Sequence, residues 1–344
     1  MNINILKDNE VARLRDLISC SRKIVIVCHA NADGDAIGST LTWAAYLRQQ
    51  GKEATVIVPD MYPDFLQWMP GTQGIVRFDK KKEEATKLIN EADLFCCMDI
   101  SNMQRTGEEM CAILTEKDTP ILLIDHHLNP EIKAEVAASF PTLSSTAELV
   151  FRLIWQLGGY EEMTKDMAVT TYTGMMTDTG GFTYNSTQPE IFFIISQLLA
   201  KGIDKDKIYR NVFNTFSIDR LRFTGYILYQ KLRVLTPLRA SYYAISREEQ
   251  KRFHFIKGDA EGLVNMPLQI KGQRLSISLR EDSEKPNTIL VSLRSVDDFP
   301  CNKMAEEFFN GGGHKNASGG KLFCTLAEAE KKVREAIKAY ANLL

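Results

Sequence analysis

His29-Ala-Asn-Ala-Asp33-Gly-Asp35-Ala-Ile-Gly38-Ser39 follows an apolar, β-branched run, Ile24-Val-Ile-Val27. It leads into Ala36 to Gln50, whose apolar spacing suits a helix that Gly51 would stop. The stretch is therefore a strand-to-helix loop holding one imidazole and two carboxylates. Open α/β sheets bind ligands in such loops, at the carboxyl ends of their strands. Two carboxylates this close repel unless a cation lies between them. On its own an Asp-Gly-Asp would do no more than cap the helix in solvent. The meaning of this one depends on whether similar residues recur at other strand ends.

They do recur. Leu94-Phe-Cys-Cys-Met98 reads as a short buried strand and ends in Asp99; Ile121-Leu-Leu-Ile124 reads as another and ends in Asp125-His126-His127. Helical sequence separates the runs, with charged residues from about Lys81 to Asn90 and a further helix after Ser101 that has Arg105 and Gly107 near its start. Strands alternating with helices imply a parallel sheet, so all three ends fall on one edge. Asp178 lies at the end of a helix predicted from about Lys165 to Met176, beside Gly180 and Gly181, which let a ligand approach the backbone. Ser145-Thr-Ala-Glu148 reads as a capping box opening a helix to Leu157. Four of the five histidines fall in ligand-like clusters; His254 has no such neighbours and reads as a packed or solvent-facing side chain.

A chain of 344 residues, 44% hydrophobic and 25% charged, is long enough for two globular domains. The helical pattern from Pro189 to about Lys231 reads as the connection, giving domains at 1–190 and 232–344 with a helical linker at 191–231. Beyond it come Ala240 to Ile245, Arg274 to Arg280 and Thr288 to Val296, the last two reading as an antiparallel pair around a polar turn. A helix then leads to Gly311-Gly312-Gly313-His314, followed by a strand and a closing helix. A formal net charge of −2 argues against a surface that wraps long nucleic acid. No apolar run approaches the ~18 residues that span a bilayer. No signal-peptide core opens the chain, and seven cysteines without a C-x-x-C pair fit reduced thiols, so a cytoplasmic protein is expected.

His29, Asp33, Asp35, Asp99, His126 and Asp178 thus form a candidate ligand set, with Asp125 and His127 adjacent. Its four carboxylates would be balanced by two divalent cations, and the mixture of imidazole and carboxylate suits manganese better than magnesium. Two such ions about 3.5–4 Å apart clamp the attacking and leaving oxygens of a phosphoryl group, so phosphoester hydrolysis is the reaction expected. A serine triad from Ser39, His127 and Asp99 fails for want of a G-x-S-x-G elbow, and no Walker A loop exists.

His29-x-x-x-Asp33-x-Asp35-x-x-Gly38-Ser39, Asp99, Asp125-His126-His127 and Asp178 closely resemble the motifs of the DHH phosphoesterase superfamily. Gly311-Gly-Gly-His314-x-Asn-Ala-Ser-Gly319 resembles the signature of its associated DHHA1 domain. Within the family the chain is most similar to the nanoRNase (oligoribonuclease)/pAp phosphatase group. Ala32 stands where the family often has proline, and Ser318 replaces a frequent alanine; neither is a proposed ligand.

The resemblance implies an α/β fold with a parallel-sheet DHH domain and flanking helices, plus a smaller α/β DHHA1 domain with a mixed sheet. It implies one ion on His29, Asp33 and Asp99 and a second on Asp35, Asp99, His126 and Asp178. His127 would face the phosphate as donor or leaving-group acid, oriented by Asp125. Arg294 and Ser295, with Gly311, Gly312, Gly313 and His314, would grip substrate phosphate from the second domain. Substrates would be short oligoribonucleotides, linear dinucleotides such as pApA and pGpG, and 3′-phosphoadenosine 5′-phosphate (pAp). No long nucleic acid or membrane partner is implied, and a homodimer is compatible with it. Two competing readings are an inorganic pyrophosphatase or exopolyphosphatase on the same core, which the GGGH run argues against, and a catalytically silent nucleotide-binding sensor.

Overall fold

Strands buried on both faces read as unbroken apolar runs, and the central strands of this protein's first sheet are of that kind. The computed structural model describes residues 2–256 and 258–344. It divides into two compact units, Met1–Thr215 and Phe216–Leu344.

In the first unit β1 (Lys23–Val27), β2 (Glu53–Val58), β3 (Val76–Arg77), β4 (Leu94–Met98), β5 (Ile121–Asp125) and β6 (Val136–Ser139) form one sheet in the order β3-β2-β1-β4-β5-β6. Every pairing in it is parallel. Ile24, Ile26, Val56, Cys96, Leu122 and Ile124 point into one core; Val25, Val27, Ile57, Phe95, Cys97 and Leu123 point into another on the opposite face. The first face is covered by α1 (Asp8–Cys20), α2 (Gly34–Gln49), α5 (Thr146–Gln156), α6 (Lys165–Asp178), α7 (Pro189–Ala200) and α8 (Lys205–Phe213). The second is covered by α3 (Lys82–Glu91) and α4 (Glu108–Glu116). Chain order reverses between β1 and β4, so the loops after these adjacent strands diverge and leave a crevice at their carboxyl ends.

Two strands carry little sequence signal: β3 has two residues, and β6 is an edge strand with Ala137 exposed. Within the stretch read as linker, Ile191, Ile194, Leu198, Ile208 and Val212 are buried in the first unit's core, and the division falls after Thr215.

The second unit opens with α9 (Ile218–Tyr226). Its mixed sheet comprises β7 (Arg233–Leu235), β8 (Ala240–Ile245), β9 (Leu275–Glu281), β10 (Ile289–Ser295), β11 (Gly312–His314) and β12 (Ala317–Leu322), in the order β11-β12-β10-β9-β8-β7. β9 and β10 are the antiparallel pair expected, whereas β8 runs parallel to β9. The helices α10 (Arg247–Arg252), α11 (Cys301–Phe308) and α12 (Leu326–Ala339) complete it, and α11 and α12 bury Met304, Ala305, Val333 and Ile337 against the sheet. Among the described residues no helix is long and apolar enough to cross a membrane.

Candidate metal centre

Three parallel strands deliver their terminal residues to one place because their ends are in register. Val27 pairs with Cys97, and Met98 with Ile124, so His29, Asp99 and Asp125-His126-His127 leave the sheet side by side. Asp99 has a left-handed backbone (φ 54°), tolerable for a short polar residue, and its N–H still donates to Ile124 O at 3.0 Å. That turn sends its carboxylate across the crevice instead of along the strand. Asp33 and Asp35 arrive with the first turn of α2, and Asp178 is the last residue of α6.

Close crossing of α2 and α6 brings the two helices' candidate ligands together. A Cβ on Gly38 would lie 2.5 Å from Thr170 O, and one on Gly174 would lie 2.6 Å from Ala147 Cβ and 3.1 Å from Asp35 Oδ1. No larger residue fits either place without displacing a neighbour.

The resulting distances are short. His29 Nε2 lies 3.4 Å from Asp99 Oδ2 and 4.0 Å from Asp33 Oδ2. His126 Nε2 lies 3.5 Å from Asp178 Oδ2, 3.7 Å from Asp99 Oδ1 and 3.8 Å from Asp35 Oδ2. His29, Asp33 and Asp99 offer ligand atoms all within 4.8 Å of one another, as do Asp35, Asp99 and His126, so Asp99 belongs to both sets. Asp33 also caps α2, its Oδ1 accepting from the N–H of Asp35 and of Ala36 at 3.0 Å, which leaves Oδ2 to face His29. Helix cap and candidate ligand are thus two oxygens of one side chain.

The donors suit divalent cations. Nδ1 of His29 lies 2.9 Å from Ala30 O, and Nδ1 of His126 lies 3.3 Å from Leu143 O. A carbonyl only accepts, so each Nδ1 carries a proton and Nε2 is the ring atom turned toward the carboxylates. Such an Nε2 donates to a carboxylate when protonated and offers its lone pair to a cation when not.

Electrostatics point the same way. Burial alone would raise Asp99, but His29, His127 and His126 hold it well below the usual carboxylate range. Burial and then the charges of Asp99, Asp178 and Asp33 push Asp35 well above that range. Burial raises Asp178 to about 6, with Asp33 and Asp99 adding to it against the pull of His126. For His29 and His126 burial acts downward, yet the neighbouring aspartates raise both imidazoles. Apart from Asp99, these groups bind protons more tightly than isolated side chains do, which is the behaviour of a site with more carboxylates than cations.

His127 is held differently. Its Nδ1 lies 2.7 Å from Asp125 Oδ1 and 3.6 Å from Asp99 Oδ1, and its Nε2 lies 3.1 Å from Nη1 of Arg105. Arg105 was visible in the sequence only as a residue near a helix start. It belongs to a short turn, Met103–Thr106, whose Arg105 carbonyl accepts from Ala30 N at 2.7 Å. The start of α5 was read as a capped helix, but not as a donor to the cluster. Thr146 and Ala147 donate backbone N–H groups to the two oxygens of Asp35 at 2.7 and 2.8 Å, and the Thr146 hydroxyl donates to Asp99 at 3.0 Å. A helix N-terminus beside an acidic cluster is the available signal, because its free N–H groups seek an anion.

In the second unit the glycine-rich run is a strand. Gly312–His314 pairs antiparallel with Ala317–Gly319, so the run is hydrogen-bonded into the sheet. Gly313 has φ 137°, and a Cβ there would lie 2.7 Å from Ala317 O, so glycine is needed for the hairpin itself. The N–H of Gly311 is taken up by Ala305 O at 3.2 Å. His314 is half-buried at the end of that strand. Arg294 is half-buried on β10, opposite Ala317 and Ser276. Ser295 is buried; its hydroxyl donates to Phe299 O and accepts from Asn316 Nδ2, both at 2.8 Å, so its only O–H holds a loop of its own unit. His254 is exposed and pairs with Asp219 at 3.1 Å.

Comparison with known proteins agrees with the geometry. The profile of the DHH family, N-terminal domain, matches residues 23–175, and that of the DHHA1 domain matches residues 242–343. The crystal structure of an exopolyphosphatase-related protein from Bacteroides fragilis is 48% identical, superposes with a TM-score of 0.92, and is covered over 98% of both chains. The bifunctional oligoribonuclease and PAP phosphatase NrnA of Thermus thermophilus is 27% identical over 92% of this chain and 89% of its own. The cyclic-di-AMP phosphodiesterase GdpP of Geobacillus thermodenitrificans is 27% identical over 95% of this chain, which spans only 49% of that longer protein. This chain belongs to the DHH family of phosphoesterases, in the form that also carries a DHHA1 domain.

Proposed function

We propose that the protein hydrolyses phosphoester bonds in short oligoribonucleotides, linear dinucleotides such as pApA and pGpG, and pAp, with two divalent cations as cofactor and manganese as the best of them. The observation that carries this reading is the sharing of Asp99 between two overlapping ligand sets, one with His29 and Asp33 and one with Asp35 and His126. His29, Asp33 and Asp99 would hold one ion; Asp35, Asp99, His126 and Asp178 would hold the other. When bound, such a pair supplies Lewis acidity at the phosphoryl oxygens and an activated water.

The chain's own residues supply the rest. Asp125 accepts from His127 Nδ1 and thereby sets the ring's tautomer and its angle to the cluster. Arg105 brings a permanent positive charge to His127 Nε2, where charge accumulating on a phosphoryl group would be met. His127 would serve as donor to the phosphate or its leaving oxygen when protonated on Nε2, which here accepts from Arg105, and Arg294 and His314 would serve as contacts to substrate phosphate. The oligoribonuclease and PAP phosphatase activities named for the Thermus thermophilus relative support this substrate class. The name of the Bacteroides fragilis relative keeps polyphosphate as a comparison.

The test is hydrolysis of pAp, pApA, pGpG, pyrophosphate and polyphosphate side by side in manganese. Turnover of the nucleotides well above that of pyrophosphate and polyphosphate is expected. Preference for the inorganic substrates would overturn the proposal, and binding of nucleotides without turnover of any substrate would favour a silent sensor.

A further inference from the structure

A buried ion pair lies one layer behind the cluster. Glu148 is fully buried and Arg152 is 5% exposed, one turn apart on α5. Arg152 donates Nε and Nη2 to Glu148 Oε1 at 2.9 and 2.6 Å. The other oxygen, Oε2, accepts from the backbone N–H and hydroxyl of Ser144 at 2.8 and 2.6 Å. The capping box read from Ser145 and Glu148 is therefore only half formed: Ser145 caps the helix, while Glu148 reaches past it to Ser144. Taking two charges out of water is costly and often adds nothing to stability. The contacts of Ser144 and its neighbours show what this pair does.

Ser144 sits in a strap, residues 143–147, that touches three members of the cluster. Leu143 O faces His126 Nδ1, Thr146 and Ala147 give their N–H groups to Asp35, and the Thr146 hydroxyl donates to Asp99. His29 and Asp33 are oriented elsewhere, by Ala30 O and by the first turn of α2. Fixing the strap therefore holds three residues of one ligand set and touches the other only through the shared Asp99.

We infer that Glu148, itself aligned by Arg152, is a positioning residue that sets the strap and thereby one of the two ion sites, that of Asp35, Asp99, His126 and Asp178. The inference rests on the two-ion reading proposed above. A buried pair that served only packing would alter global stability without distinguishing the two ions.

The experiment is calorimetric titration of chelator-stripped, full-length protein with manganese chloride, with thermal unfolding in EDTA recorded in parallel. Wild type should bind two ions per chain. Glu148→Gln should weaken one about 10–100-fold and the other, which the strap reaches only through Asp99, much less. Ser144→Ala, which removes only the hydroxyl and leaves the charge pair intact, should weaken the same ion less. If Glu148→Gln does not fold, the milder variant decides alone. Two ions at unchanged affinity in folded variants, or equal weakening of both, would overturn the inference while leaving the two-ion reading in place. Fewer than two ions in wild type would overturn that reading and the inference with it.

Discussion

His127 donates its Nδ1–H to Asp125 at 2.7 Å, and Asp125 is fully buried at the end of β5. Its second oxygen, Oδ2, receives no hydrogen bond from the described residues. Asp125 thus acts on the cluster through His127, whereas Asp99 belongs to both ligand sets. Asp125→Asn, which keeps the volume but offers an amide, should cost about 10–100-fold in kcat and leave bound manganese unchanged. Asp99→Ala should cost more and should lose metal. Rates and metal content of the two purified variants check this; Asp125 proving the more damaging would mean that the roles are exchanged.

The cluster's protonation makes stability of the metal-free protein depend on pH in a stated direction. Asp35 is raised above its ordinary value of 3.8 and Asp178 is raised from 3.8 to about 6. Each binds its proton more tightly folded than unfolded, so its contribution is full below 3.8 and is lost as pH rises through the folded value. His29 and His126, raised above 6.5, continue the loss at higher pH. Asp99 opposes them, its contribution being present above 3.8 and lost only as pH falls through its depressed value. The melting temperature in EDTA should therefore fall as pH rises from 3.8 through about 6 and go on falling above 6.5, and manganese should raise it more at the upper end. A flatter slope in Asp178→Asn would tie the effect to the cluster; a rising melting temperature in EDTA would refute it.

Helix packing gives a third prediction. Gly174→Ala places a methyl 2.6 Å from Ala147 Cβ and 3.1 Å from Asp35 Oδ1, so it pushes the start of α5 off Asp35. Overpacking of this kind costs about 1–3 kcal/mol, more than the ~1 kcal/mol that alanine gains over glycine in a helix. Urea unfolding should show a net loss, with weaker manganese binding. Gly225→Ala in α9, where a Cβ would meet nothing within 4 Å, should be neutral or stabilising and serves as control.

Much of this arrangement was legible because strand-end residues carry a strong pattern: apolar runs ending in Asp99 and in Asp125-His126-His127 locate both the sheet and the crevice. What was hidden has physical reasons. β6 and β7 are edge strands of four and three residues, too short for a pattern, and Gly312–His314 pairs through its backbone, where side chains give no clue. The N–H groups that hold Asp35 are likewise backbone atoms, and every helix start offers them. Glu148 carried the pattern of a capping box while serving Ser144 and Arg152. α7 and α8 read as a connection, because a helical period does not say which core an apolar face will join.

Substrate length is the fourth expectation. A chain of net charge −2 shows no excess of cations for a long phosphate backbone. Each phosphate neutralised along a single strand would add about −0.7 to the log–log salt slope. Turnover should fall steeply from dinucleotides to an oligomer of about 20 residues, with shallow salt dependence throughout. Comparable rates at both lengths with a steep slope would indicate a single-strand exonuclease instead. Arg294→Ala should raise KM for dinucleotides without altering metal content, read by steady-state kinetics and metal analysis.

Dependence on divalent ions is the most direct test of the proposal that Asp99 serves two of them. Protein dialysed against EDTA should not turn over pApA, and manganese should restore activity further than magnesium at equal concentration. Full turnover of pApA in EDTA by the dialysed protein would contradict the account.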